Sequence, residues 1–429
     1  MSLLGDRPAP AAATPPRRGG RWVAAAHLVA GGVVMTGVLA QLVRPLAPPL
    51  SSPPDPAVFF GPEHLARVAA YTAPLTVVRV AGLALQVAVP LLVISTPPGR
   101  RVIGMLGRGR SAPLVAAAVA TGMVVLVDLA LLPLNLWAGF VHEGAWGFRT
   151  QGLGGWARDW LILRAPGWAA VAAGAGGLAV AVRRLPRAWP PVAGLAGAAL
   201  TLLLVGVAPA VLEPLQFRFS PLADGPVRAE VERVLAAAGA DIDTILVADA
   251  SRRTTKENAY VSGLAATRRV VLHDTLLAGR SPEEVGLVLA HELGHARNAD
   301  VARGALLAAA GAVGGAYALA GVQRRRRRRG LAAAPGDPWS VAAAVATLLV
   351  LGVVALPAET WVSRRAEAAA DLASLDLTED PQTFLAMQEG LSRANLSDPA
   401  PPAWARLLWW THPPAAARLQ MGVEWGGGG

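Results

Sequence analysis

The 429-residue chain contains no cysteine. Disulfides, thiolate metal sites and cysteine nucleophiles are therefore excluded, and the redox compartment is not legible. Charge is scarce too: 16% of residues are charged against 53% hydrophobic, with a mean hydropathy of +0.43. That balance belongs to a membrane protein rather than to a soluble two-domain enzyme. Lysine is almost missing. Lys256 is the one present, and arginine supplies the other cations behind a formal net charge of +10. In an Ala/Gly/Pro-rich chain this suggests a GC-rich genome and a bacterial host, so the basic total alone does not indicate nucleic acid. The densest run, Arg324–Arg329, has no aromatic or groove-reading context and reads as solvated charge, so no nucleic-acid partner is expected.

Long apolar runs are what the chain has in abundance. Seven are near the ~20 residues that span ~30 Å of hydrocarbon: about 22–43, 71–96, 112–136, 161–182, 190–212, 301–322 and 339–357. Trp22, Trp137, Trp168, Trp189 and Trp339 lie at or near span ends, as interfacial aromatics do. The first run is long for a signal peptide and lacks a small-x-small cleavage site, so it reads as a retained helix. Residues 1–20 and 44–58 are Pro/Ala/Arg-rich and expected to be poorly ordered. The implied division is a cytoplasmic tail (1–21), five transmembrane helices (22–212), a soluble segment (213–300), two further spans (301–357) and a C-terminal segment (358–429). In the soluble segment a helix over Val227–Ala238 precedes strands at Thr244–Val247, Asn258–Ser262 and Arg269–Leu272. The last segment is expected to be helical to Pro399, with a glycine tail. No internal repeat stands out.

Arginine sorts the loops. Arg7, Arg17, Arg18, Arg21, Arg100, Arg101, Arg108, Arg110, Arg183, Arg184, Arg187 and Arg324–Arg329 share one side with only Asp6 and Asp337. By the positive-inside rule that side is cytoplasmic, which makes the opposite face extracytoplasmic in a multi-pass cell-membrane protein.

On that opposite face, residues 291–295 read His-Glu-Leu-Gly-His after an apolar run, Val285–Ala290. Ser281-Pro-Glu-Glu284 ahead of it supplies an N-cap serine, a proline at the first helical position and a capping-box glutamate. Two histidines four apart share a helix face, so both imidazoles can reach one metal ion. Glu292 projects to the same side, where it can take a proton from metal-activated water. This is the zinc-hydrolase pattern, and the start signal argues against a surface helix with two unrelated histidines.

A catalytic zinc has three protein ligands and an open position. Ala296-Arg-Asn-Ala-Asp300 lacks the glycine and third histidine of a metzincin extension. Glu367 and Asp371, four apart in Ser363-Arg-Arg-Ala-Glu-Ala-Ala-Ala-Asp371, lie on an expected helix just past the seventh span. One can bind zinc while the other supports a ligand histidine; spacing alone does not choose, and an ordinary exposed carboxylate pair has the same spacing.

The sequence here resembles the integral-membrane zinc metallopeptidases that include CAAX prenyl protease 1. The likeness runs through Phe217–Leu222, Phe140–Phe148, Thr255–Gly263 with its Asn258-Ala-Tyr, Arg269–Leu276, Ser363–Asp371 and Thr411-His412-Pro-Pro to Arg418-Leu419. It departs where the family often has an aromatic residue after the second histidine and this chain has Ala296. The resemblance implies zinc on His291, His295 and Glu367, with Asp371 holding a ligand in place. Asn258 then hydrogen-bonds a substrate laid along a strand edge, and His412 donates to the oxyanion. Arg418 anchors a substrate carboxylate or pairs with an acid in the site.

The expected fold is a mostly α membrane protein of seven transmembrane helices enclosing a chamber, with a small α+β zincin-like (gluzincin) catalytic domain. The charges Arg79, Asp128 and Arg164, within or at the edges of spans, are expected to face a polar interior. His27, His64, His142 and His273 fit no ligand spacing. The expected function is a zinc-dependent endopeptidase acting on membrane or exported proteins, with peptide substrates and the lipid bilayer as partners. CAAX-type processing of lipidated C-termini is the alternative, although protein prenylation is not expected in a bacterial host. A non-catalytic scaffold would require a broken ligand set, and a transporter would be expected to show inverted repeats or paired broken helices.

Overall fold

A computed structural model describes residues 19–42, 54–242, 244–262, 268–330 and 337–427. Most of the 1–21 tail and of the 44–58 stretch lies outside these. Within the latter, Asp55 caps a 3-10 turn at Pro56–Val58, its carboxylate accepting from the Ala57 amide at 2.9 Å.

The chain opens with α1 (Gly19–Leu42), α2 (Pro62–Ser95), α3 (Pro97–Gly107) and α4 (Ala112–Leu136). A π-helical stretch, Trp137–His142, carries α4 into the one-turn α5 (Glu143–Ala145), and α6 (Leu153–Arg184) and α7 (Trp189–Gln216) follow. Among the described residues, seven helices are long and apolar enough to cross a membrane; the last two are α11 (Asp300–Arg328) and α12 (Pro338–Thr378). The helices of the second and fourth spans start earlier than the apolar windows do, at Pro62 and Leu153. The residues ahead of those windows include Glu63, Arg67, Arg158 and Asp159 and are already helical.

Without a hydrophobic effect between helices in lipid, close approach requires small residues. Gly37 on α1 shows this. A Cβ there would come within 2.6 Å of the Leu306 carbonyl oxygen and 2.7 Å of Ala310 Cβ on α11. Arg303 donates to the Ala40 carbonyl at 2.5 Å across the same seam. Two cavities separate the spanning helices elsewhere. One of 1030 Å³ lies among α1, α11 and α12, and one of 580 Å³ lies among α4, α6, α11 and α12 nearer the arginine run.

Between α7 and α11 the chain folds as β1 (Phe219–Pro221), α8 (Pro226–Ala237), β2 (Ile245–Ala248), β3 (Ala259–Ser262), β4 (Arg269–His273), α9 (Asp274–Gly279) and α10 (Pro282–Arg297). The sheet order is β1-β2-β4-β3, with β2 parallel to β4 and the other pairs antiparallel. In this four-stranded sheet β3 is therefore an edge, pairing Ala259 with Leu272 and Ser262 with Arg269 on one side. Val231, Val234, Leu272, Leu276, Leu287 and Leu289 close the core beneath it; each fully buried side chain of this kind contributes about 1.5–3 kcal/mol.

The helix also outruns the apolar window of the seventh span: α12 is one 41-residue helix that carries Glu367 and Asp371 into this core. After Pro399 the chain is not a plain tail, because α13 (Pro381–Asn395) is followed by α14 (Ala403–Leu408) and α15 (Ala415–Gly427). Ala416, Ala417 and Leu419 of α15 are buried, so packing adds to the good helix propensity of Ala415–Met421.

Candidate active site

Helix α10 starts as its sequence dictates. Ser281 Oγ accepts from the Glu284 amide at 3.2 Å, while the Glu284 carboxylate accepts from the Ser281 amide at 2.9 Å. Three turns on, Gly294 lets α10 approach α12. A Cβ there would lie 3.0 Å from Ala370 Cα and 3.1 Å from the Ala370 carbonyl oxygen. That approach brings Glu367 to the histidines, 76 residues away in sequence from His291.

The donors of His291, His295 and Glu367 all lie within 4.8 Å of one another. His291 Nε2 is 3.1 Å from His295 Nε2 and 3.3 Å from Glu367 Oε2, and His295 Nε2 is 3.5 Å from Glu367 Oε1. Ligands about 2.0–2.1 Å from a tetrahedral ion sit about 3.3–3.4 Å from each other. Two imidazoles and one carboxylate at these separations fit a zinc ion.

Each imidazole is held from behind. His291 Nδ1 lies 2.9 Å from Asp371 Oδ1, and His295 Nδ1 lies 2.8 Å from Asp300 Oδ2. Burial disfavours charge on both rings, but the carboxylates prevail: Asp371 and Glu367 raise His291 to about 9, and Asp300 and Glu367 raise His295 to about 10. Asp371 is fully buried. It is balanced by Arg418, whose Nε and Nη2 donate to its two oxygens at 2.7 and 2.5 Å. Of the two roles open to Arg418 in the sequence, the structure thus places it on an acid of the site. Gln388 Nε2 adds a 3.4 Å contact to Asp371.

His412, from the segment between α14 and α15, brings Nδ1 to 2.7 Å from Glu367 Oε2. Arg364 holds that segment by donating to the Arg406 and Trp410 carbonyls. Asn258 stands at the entrance to β3, with Oδ1 accepting from the Ala259 amide at 3.0 Å. Its neighbour Glu257 is fixed by Arg280 Nε at 2.6 Å and by Asn395. Asn258, His291, Glu292, His412 and Arg418 line one 460 Å³ cavity. Glu292 also lines the 1030 Å³ cavity, together with His295 and Glu367. Burial raises the Glu292 pKa above the ordinary carboxylate range.

The histidines without ligand spacing lie elsewhere. His142 stacks between Tyr71 and Trp137, His64 on Phe60, and His27 meets the Tyr317 hydroxyl. His273 is buried against Phe217 and Tyr260. Asp128 is paired with Arg164 at 3.1 Å and accepts from Trp168 Nε1 at 2.7 Å, while Arg79 lies over the Trp410 ring and lines the 460 Å³ cavity. Sequence reasoning missed Asp300, Gln388 and the Lys256–Glu143–Tyr71 cluster at the cavity wall, where Lys256 Nζ is 2.8 Å from both the Glu143 carboxylate and the Tyr71 hydroxyl. Asp300 alone had a visible signal, an acid five residues past the second histidine.

Residues 221–425 match the sequence model of peptidase family M48, a stretch that includes every residue of this metal centre. Metallopeptidases of that family use zinc, in keeping with the donor set. Among curated relatives, a probable CAAX prenyl protease 1 of Schizosaccharomyces pombe is 30% identical over 174 residues, 41% of this chain and 37% of that protein. A CAAX prenyl protease 1 homolog of Oryza sativa subsp. japonica is 31% identical, the match covering 42% of each chain. The chain therefore spans well under half the length of these two relatives. An uncharacterized metalloprotease, YhfN, of Bacillus subtilis is 26% identical over 69% of this chain and 70% of its own. The crystal structure of S. mikatae Ste24p superposes with a TM-score of 0.72, covering 97% of this chain and 99% of that one at 20% identity. The segment that resembles the M48 family is thus set in a Ste24p-like fold.

Proposed function

We propose that the protein is a zinc-dependent membrane endopeptidase. The observation that carries this reading is the convergence of His291, His295 and Glu367 at ligand spacings beside Glu292, which lines the cavities on both sides of them. Zinc held by the three donors supplies Lewis-acid polarisation of a peptide carbonyl and of a water molecule. Glu292 takes the proton of that water and delivers it to the departing amine; its raised pKa suits both directions of transfer. Asp300 accepts from the Nδ1–H of His295, and Asp371 lies 2.9 Å from His291 Nδ1; with Nδ1 of each ring turned to its carboxylate, each Nε2 lone pair is left for the ligand position. His412 lines the same cavity and donates to the carbonyl oxygen as negative charge develops; with Nδ1 donating to the Glu367 carboxylate, donation from Nε2 requires the imidazolium. An extended substrate adds to the edge of β3 away from β4, and the Asn258 side-chain amide donates to its backbone.

The substrates of this reading are membrane or exported proteins reaching the site through the cavity between α11 and α12. The likeness to fungal and plant CAAX prenyl protease 1 proteins supports a second reading, cleavage of lipidated C-termini. Two matched peptides separate them, one ending in a farnesylated CAAX motif and one without lipid. Equal cleavage of both supports a general membrane-protein peptidase, and strong preference for the farnesylated peptide supports the second reading.

The arginine-rich loops support an extracytoplasmic catalytic face. The cysteine-free chain makes the test direct. Cysteine placed at Arg325 should resist a membrane-impermeant maleimide in intact cells, whereas cysteine at Trp404, 47% exposed on the catalytic side, should react. The opposite labelling would reverse the orientation.

A further inference from the structure

At the end of the bundle away from the metal centre, α11 and α12 part around the 580 Å³ cavity. Its walls are apolar, with Val171 and Leu178 from α6, Leu319 and Val322 from α11, and Leu348 from α12. Its rim is not: Arg326, Arg327, Gln323 and Ser340 close one end. Arg326 is half-buried, its guanidinium 4.4 Å from the Trp339 ring centre, so it is turned inward while its neighbours in the run are exposed. Among the described residues, none of Arg324–Arg329 forms an ion pair with a carboxylate. Asp337, nearby in sequence, instead caps α12 by accepting from the Ser340 amide at 2.8 Å. Along α12 the cavity runs from Trp339 to Leu349, which at 1.5 Å per residue is about 15 Å, half of a ~30 Å hydrocarbon core.

An apolar cleft one leaflet deep with unpaired cations at its rim matches one kind of occupant. We propose that this crevice is a binding site for an anionic glycerophospholipid, its phosphate held by Arg326 and Arg327 and an acyl chain lying along α6, α11 and α12. The bilayer surrounds the crevice with such lipid, and basic clefts between transmembrane helices bind anionic headgroups by this combination of charge and chain burial. The proposal rests on the membrane setting and the crevice, and is independent of the proteolytic reading.

The test uses the full chain, delipidated in neutral detergent, with binding read by native mass spectrometry. Phosphatidylglycerol should bind about thirtyfold more tightly than phosphatidylcholine of the same acyl composition, as two arginines at an anionic headgroup predict. Glycerol phosphate and inorganic phosphate should fail to compete at equal concentration, because they bring no chain. Arg326→Ala/Arg327→Ala should abolish the preference. Arg324→Ala/Arg325→Ala, which removes the same charge away from the rim, should keep it. Gly174→Leu fills the crevice from a position where a new Cβ meets nothing within 4 Å, and should weaken both lipids. Equal binding of the two lipids, competition by free phosphate, or equal loss in the two double-arginine variants would overturn the site.

Discussion

His295 Nδ1 lies 2.8 Å from Asp300 Oδ2 across a single left-handed residue, Ala299, whose φ is 53°. That residue turns the chain sharply between α10 and α11, so the acid that begins the sixth spanning helix faces the histidine that ends the motif. His291 has the equivalent partner in Asp371, from α12. The two imidazoles are thus oriented by carboxylates from the last two spanning helices, which ties the metal centre mechanically to the membrane bundle.

Removing one of these supports tests the tie. Asp300→Ala should leave the protein folded but weaken zinc binding about 10- to 100-fold, the usual cost of losing a carboxylate behind a ligand histidine. Competition with a chelator of known affinity measures this. Unchanged affinity would mean that His295 is oriented by other contacts.

Arg418 neutralises a fully buried acid, so its loss should be felt in the whole domain. Arg418→Ala should cost about 3–5 kcal/mol of stability by leaving Asp371 charged and unpaired. Adding Asp371→Asn should restore part of it, and denaturation midpoints of the two variants make the comparison.

The spacing of α10 against α12 is set at Gly294. Gly294→Val should force the helices apart, cost about 1–3 kcal/mol as overpacking does, and reduce bound zinc further than the stability loss explains. Metal content per folded chain reports it.

Zinc must displace protons here. Before metal binds, His291 and His295 carry raised pKa values of about 9 and about 10. Both shifts favour the protonated ring at pH 7, so loading should release protons, up to two per ion. Affinity should then fall by up to about a hundredfold for each unit that pH drops below 9. Calorimetric titration in buffers of different ionisation enthalpy counts the protons. Affinity that stays constant from pH 8 to pH 6 would contradict the coupling.

The histidine pair and the Glu367/Asp371 pair were legible because each obeys one local period, four residues on a helix face. Their union was not, since it depends on a close approach at Gly294 that no neighbouring residue announces. Asp300 escaped notice because a left-handed alanine, unlike a glycine, gives no sign of a reversal in the backbone. The length of α12 was hidden for a different reason. Apolar windows stop where charge begins, but Arg364, Glu367 and the alanines around them are good helix formers, so the helix runs on to Thr378. Conversely, β3 and β4 were readable to within a residue or two at each end, as β-branched and apolar residues bounded by polar ones.

The account rests on Glu292 as the group that moves the proton. Glu292→Gln keeps the size of the side chain and all three metal donors, so the variant should bind zinc stoichiometrically with wild-type affinity. Its cleavage of an unlipidated peptide, assayed beside zinc-loaded wild type, should fall by at least about 10²–10⁴-fold. Zinc bound normally with cleavage lost is the predicted result. Wild-type cleavage by the purified, zinc-loaded variant would contradict the mechanism.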